Sequence, residues 1–312
     1  MDSCPEKACE KGEGSVKKNK SPEYVNVGGE IKRRSQFLEV WHRLRRNKLA
    51  MVGMVIVVVL IFCAIFADVI APCDYSEQKI GDRLMYPCAQ HLLGTDNMGR
   101  DILSRIIYGG RVSLLVSVMA LAMALVVGGF FGCIAGFFGG KIDAIIMRIM
   151  DILMAIPGLL LAVAVSAVLG AGVFTTAIAI AVSGVAPSAR LLRASILTIR
   201  DQEYITVAKA TGSSNARTIV KHILPNILAP IIVDCSLRVG GNIMQISSLS
   251  FIGLGVQAPT PEWGCMLNDG LGFIRDFWPL VTFPGVAIGL TLFGFNLFGD
   301  GLRDALDPRL KQ

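Results

Sequence analysis

Three stretches of this 312-residue chain carry residue types at spacings that chemistry could use. The first ends in Gly139-Gly-Lys141, like the close of a phosphate-binding loop. That motif also needs a glycine at its first position and a Ser or Thr after the lysine to hold magnesium. Ala135 and Ile142 stand there instead, so this chain is not expected to hydrolyse ATP. The second stretch holds Asp96 and Asp101, two carboxylates near enough in sequence for acid–base work. No nucleophile or metal ligand accompanies them, and they alternate in sign with Arg100 and Arg105, so a self-satisfied salt-bridged plug is expected. The third holds Asp234 and Arg238, inside a long apolar run. Four apart, they share a helix face, and an ionisable group within a bilayer is costly unless it is paired or meets water. Two readings stand: a structural pair, or, with Gln245, the lining of a path that meets a zwitterion. His42, His91 and His222 all lie outside the apolar runs, so an intramembrane protease would lack its base.

The elements that position these residues are membrane spans. Hydrophobic residues make up 53% of the chain and the mean hydropathy is +0.58. Six runs approach the roughly 20 residues that cross a bilayer: Leu49–Ala71, Ser113–Phe138, Ile149–Leu169, Val173–Val185, Leu228–Phe251 and Val281–Gly299. The fourth is short and is followed by Pro187 and Arg190, so it must lean on neighbours, extending towards Leu192. Twelve Lys and Arg precede residue 49, six lie from Arg190 to Lys221 and three follow the last span, whereas residues 72–110 and 253–280 share five. That bias places both termini on the cytoplasmic side of the membrane. The net charge of +6 therefore reflects topology and implies no nucleic-acid partner.

Residues 1–30 are polar and lysine-rich and read as a disordered cytoplasmic tail. Residues 33–48 place Phe37, Trp41 and Leu44 at helical spacing among arginines, an amphipathic helix for the lipid surface. Of eight cysteines none has zinc spacing; Cys4 and Cys9 fall inside, while Cys73 and Cys88 bound an outer stretch and are the candidate disulfide. Closing such a loop would be worth about 3 kcal/mol. Gly128, Gly132, Gly136 and Gly140 recur every fourth residue, the stripe along which another helix can approach closely. Lys141, Asp143, Arg148 and Asp151 are expected to pair within one turn, and Pro157 to kink the third span near its start. Gly253, Gly255, Pro259 and Pro261, with Glu262 and Trp263, form a bent non-helical segment beyond the fifth span.

Between the fourth and fifth spans lies a polar elbow. Glu203-Tyr-Ile-Thr-Val-Ala-Lys-Ala-Thr-Gly212 reads as a short helix with Ala208 and Ala210, broken at Gly212. Ser213, Ser214 and Asn215 offer caps for a second short helix, and Pro225 is expected to stop it by pushing Leu224 out of helical geometry. On the basic side of a membrane protein this is a docking part.

The elbow resembles the cytoplasmic signature of permease subunits of ABC importers: Ala208, Gly212, Leu224 and Pro225 fall at matching positions, while Thr206, Val207 and His222 depart from the general form. Tyr204–Ser213 with His222-Ile-Leu-Pro-Asn226, the stretch Leu93–Leu114, Ser248–Gly264 and Phe295–Arg309 are similar to the dipeptide, oligopeptide and nickel branch. Family members usually carry uncharged residues at positions 234 and 238. The resemblance covers about residues 33–310. It implies an all-α polytopic fold of six transmembrane helices, with residues 31–110 as interfacial helix, first span and outer loop, 111–302 as transmembrane domain and 303–312 as C-terminal tail. It implies no covalent chemistry and no cofactor on this chain, with ATP and Mg bound by two separate ATPase subunits. Glu203, Tyr204, Ala208, Ala210, Gly212, Leu224 and Pro225 would then form the coupling helix that fits a cleft in one of them. The other implied partners are a second, homologous permease, an extracytoplasmic solute-binding protein and membrane lipid, in a bacterial or archaeal plasma membrane. Peptides are the expected cargo, with nickel chelates or glutathione as the alternative; an ion-coupled carrier is the competing class outside the family.

Overall fold

The computed structural model describes residues 36–306. The expected tail at 1–30, with Cys4 and Cys9, and residues 307–312 of the tail expected at 303–312 lie outside the described residues, while 303–306 are not a tail but the last turn of a helix that runs to Leu306. Helix α1 (Gln36–Arg46) leads through Asn47 into α2 (Lys48–Ile65), whose first amides donate to the Asn47 side chain. One further turn, α3 (Ala67–Ile70), opens the loop to α4 (Ile102–Phe138), a single 37-residue helix. Then come α5 (Gly140–Ala155), α6 (Gly158–Leu169), α7 (Val173–Ile199), α8 (Glu203–Ala210) and the single turn α9 (Asn215–Arg217). The chain ends with α10 (Leu228–Phe251), α11 (Trp263–Gly270) and α12 (Pro279–Leu306). No strand occurs among the described residues.

Among the described residues, five helical stretches are long and apolar enough to cross a membrane, and six if α5 with α6, a bent pair, is counted as one span. The third span is thus not one continuous helix: α5 and α6 meet at 87°. Pro157 cannot donate a backbone bond and forces Ile156 into extended geometry (φ −90°, ψ 126°). The fourth span is longer than its apolar core, because α7 runs to Ile199 straight through Pro187. In that turn the Gly184 carbonyl accepts from Ser188 Oγ at 2.8 Å and Arg238 Nη1 at 3.2 Å.

Close packing of α4 on α7 forms the centre. A Cβ on Gly128 would strike the Val185 carbonyl and one on Gly132 the Ala189 carbonyl, while one on Gly136 would lie 3.0 Å from Ile196 Cβ. Gly140 does not belong to this stripe: α4 ends at Phe138, and Gly139 and Gly140 both take positive φ to turn the chain into α5. The alanine-rich core between these helices (Ala120, Ala124, Ala177, Ala181) continues to Ile246 and Leu249 of α10. Helix α1 packs Leu44 onto Ala50 and Ala305, while Trp41 stays exposed.

Candidate coupling elbow and ion-paired path

Helix α8 and the turns after it hang from the ends of α4 and α7. Ile205 is fully buried among Phe137, Ile196, Ile223 and Ile227, and Ala208 is buried beside it. Lys209 places its ammonium 4.8 Å from the Phe137 ring centroid, a cation–π contact. Glu203, Tyr204, Val207 and Ala210 face outward. At Gly212, with φ +83°, the helix closes: Ser213 N–H donates to the Ala208 carbonyl and Gly212 N–H to that of Lys209, the paired bonds of a left-handed glycine cap. Ser214 caps the next turn through Arg217 N–H.

Pro225 does not stop the chain. Leu224 stays helical (φ −52°, ψ −45°), and the helical path continues into α10. The turns before the proline are π-type over Thr218–Ile223, wide enough to receive the ring, and a 3₁₀ turn follows over Leu224–Ile227.

The carboxylates of α5 pair across to α7, not within their own turn. Asp143 holds Arg193 through two bonds, Oδ1–Nε at 2.5 Å and Oδ2–Nη2 at 2.6 Å, and Asp151 holds Arg190 Nη2 at 2.6 Å. Arg200 adds a bond from Nη1 to the Gly136 carbonyl. Spacing within α5 could not reveal partners that lie 50 and 39 residues away.

Asp234 and Arg238 form an ion pair on one face of α10, Oδ2–Nε 2.6 Å, with side chains 26% and 19% exposed. Arg238 Nη1 also reaches Ser188 Oγ at 3.0 Å. Two cavities flank the pair. One of about 590 Å³ is lined by Asn226, Val233, Asp234 and Leu237, with Leu191 and Arg303 opposite. The other, about 370 Å³, is lined by Arg238, Asn242 and Gln245, with Ser183, Pro187 and Ile156 at the α5–α6 break.

At the far end of the helices, Asp96 Oδ2 accepts from Arg100 Nε and Arg105 Nη1, both at 2.6 Å. Asp101 does different work: it caps α4 through Ser104 N–H at 2.7 Å and meets His91 Nδ1 at 3.0 Å. The sequence reading missed Asp269 of α11, whose carboxylate lies 3.9 Å from Arg100 and 3.8 Å from Arg105. Burial raises the pKa of the Asp269 carboxyl from its ordinary value although both arginines oppose it. Glu262 is fully buried, capping α11 at Cys265 N–H and accepting from the hydroxyls of Ser113 and Ser247. Trp263 donates from Nε1 to the Ile106 carbonyl and lies against Gly109 and Gly110. Gly253 turns with φ +79°, a Cβ on Gly255 would strike Ser250, and Pro259 follows a cis bond and precedes Pro261 and the α11 cap.

Cys73 and Cys88 are not joined; both are free thiols. Each is held by a separate contact: Cys73 N–H donates to Ser104 Oγ and Cys88 Sγ accepts from His91 N–H. Among the described residues no group of His, Cys, Asp and Glu could hold a metal ion.

With this geometry in place, one family model, described as the binding-protein-dependent transport system inner membrane component, matches residues 128–312. The chain belongs to that family. A second model, the N-terminal TM domain of oligopeptide transport permease C, matches residues 35–87 of this family member. The permease is 47% identical over 277 residues to a dipeptide transport system permease protein of Alkalihalophilus pseudofirmus, covering 89% of this chain and 91% of the relative. It is 41% identical over 295 residues to the oligopeptide transport system permease protein of Bacillus subtilis, covering 93% and 97%. The MetNI methionine ABC transporter in inward-facing conformations superposes with a TM-score of 0.52 at 16% identity, over 65% of this chain and 97% of that one. This likeness concerns the fold.

Proposed function

We propose that this permease forms half of the path of an ATP-driven importer of dipeptides or oligopeptides. The observation that carries the reading is the elbow: a short helix anchored by Ile205 from beneath, with Tyr204, Val207 and Val220 left exposed and apolar on its outer surface. A carrier working alone has no use for such a docking surface. The relatives' names supply the peptide cargo. A second permease completes the path, two ATPase subunits bind ATP and Mg, and an extracytoplasmic binding protein delivers the ligand. The Lys and Arg distribution supports a cytoplasmic elbow and cytoplasmic termini.

Each step follows from this chain's contacts. An ATPase that grips α8 moves Ile205 against Phe137 and Ile196, and so moves the ends of α4 and α7. Helix α7 draws α5 with it through Arg193–Asp143 and Arg190–Asp151. The end of α5 and its junction with α6 line the cavity beside Arg238, Asn242 and Gln245, so elbow motion reshapes the path. Glu262, Trp263 and the Asp96–Arg100–Arg105 cluster hold the outer gate segment on α4 meanwhile.

The test is uptake of a labelled dipeptide by vesicles holding the complex, with ATP depleted while ion gradients are maintained. Loss of uptake is expected. Uptake that survives on the gradients alone would overturn the reading in favour of an ion-coupled carrier. Transport of nickel chelates or glutathione without peptides would keep the machinery and replace the cargo.

A further inference from the structure

The two cavities lie in sequence along one face of α10, and the Asp234–Arg238 pair stands where one gives way to the other. On α10 and the turn before it, the elbow-side cavity takes residues up to Leu237, and the second takes those from Arg238 onward. On α7 the same change falls between Leu191 and Pro187. At that level Arg238 binds three groups at once: Asp234 on its own helix, and the Gly184 carbonyl and Ser188 hydroxyl on α7. The guanidinium therefore closes a bridge from α10 to α7 between the two chambers.

We propose that this bridge is a septum across the path, opened by the two charged termini of a peptide. The proposal rests on the peptide reading above and names what the site recognises. The incoming carboxylate takes over Arg238, whose guanidinium can donate to it in place of its contact with Asp234. The incoming ammonium takes over Asp234. Separating a partly buried ion pair leaves two uncompensated charges, which is the expensive state. A zwitterion supplies a partner to each charge, so the septum parts without that cost. A ligand with one blocked terminus supplies only one partner and leaves the other charge alone. Asn242 and Gln245, on the same face beyond Arg238, offer amide groups to the peptide bond that follows.

Two measurements on the complex test this. In the first, Asn242→Cys in the second cavity is labelled with a membrane-impermeant maleimide added from the elbow side, the protein without that substitution serving as blank. Adding Asp234→Asn with Arg238→Gln should raise the labelling rate at least tenfold; an unchanged rate overturns the septum. In the second, uptake of a free dipeptide is compared with its C-terminally amidated and N-acetylated forms, each saturating the binding protein. The wild type should prefer the free form at least tenfold, and the inserted double variant should lose that preference while still moving peptide. An equal preference in both proteins overturns the role of the termini. No uptake of any peptide by the wild type overturns the peptide reading itself, and with it the occupant named here, while the labelling result still decides the septum.

Discussion

Asp143 of α5 and Arg193 of α7 face each other through two parallel bonds, 2.5 and 2.6 Å long, across a gap of fifty residues in sequence. The pair ties the half-span before Pro157 to the helix that carries the elbow. Both side chains keep some solvent contact, so its stability contribution is modest, roughly 1 kcal/mol. On the proposed coupling route it is one of two ionic rungs between α5 and α7. Arg193→Ala should lower the melting temperature by only a few degrees (about 2–4 °C for a domain of this size) while cutting uptake at least fivefold. The exchange Asp143→Arg with Arg193→Asp should recover most of the uptake. Full uptake in Arg193→Ala at normal expression would remove the rung from the coupling route.

Gly212 has φ +83° and open space around it, so a side chain there meets no neighbour but strains the backbone. A β-branched residue at such a φ costs on the order of 1–3 kcal/mol, concentrated in the cap that joins the two parts of the elbow. Gly212→Val should leave the protein inserted, keep ATP hydrolysis by the assembled complex and reduce uptake more than tenfold. Gly212→Asn, which tolerates the left-handed region, should fall between. Normal uptake in Gly212→Val would show that the cap geometry is not needed for coupling.

What the sequence made legible was local. The length of apolar runs, the break at Gly212, the cap at Ser214 and the face shared by Asp234 and Arg238 all follow from rules spanning a few residues. Pro157 was legible as a kink, but its 87° size was not, since that depends on how α5 and α6 each pack on α7. Pro225 misled because a π-type turn before it absorbs the ring, and no residue pattern announced that turn. The pairings of Asp269, Ser188, Arg190 and Arg193 escaped notice because their partners lie far along the chain. Gly140 fitted a spacing of four but belongs to a turn, as positive φ at both Gly139 and Gly140 shows.

The stripe on α4 gives a prediction with its own control. Gly128 and Gly132 sit against carbonyls of α7, which cannot yield as a flexible side chain can. Overpacking of this kind costs typically 1–3 kcal/mol, and more where backbone must move. Gly132→Leu should lower the detergent-solubilised melting temperature by roughly 5 °C or more or prevent accumulation. Gly289→Ala in α12, where a Cβ meets nothing within 4 Å, should be neutral. Equal melting temperatures for the two variants would show that α4 and α7 do not need to approach so closely.

Cys265 offers a chemical probe of the segment that joins Glu262 to Asp269. Its thiol is buried in α11, and burial, reinforced by the nearby carboxylates of Asp269 and Glu262, pushes its pKa up to about 11. Only the thiolate attacks a maleimide. At pH 8 a thiol at 11 has about one hundredth of the thiolate of one at the ordinary 9.0. The sign follows: reactivity should be very low at neutral pH and rise about tenfold per pH unit until it levels off near 11. Asp269→Asn removes one of the charges holding the pKa up, so it should shift this profile to lower pH while the thiol stays covered. The measurement is the rate of N-ethylmaleimide incorporation at Cys265 by mass spectrometry between pH 7 and 11, in wild type and Asp269→Asn. A thiol that reacts at pH 7 as fast as an exposed one would mean that α11 does not stay seated on α4, and the Glu262 and Trp263 contacts would then not describe the resting segment.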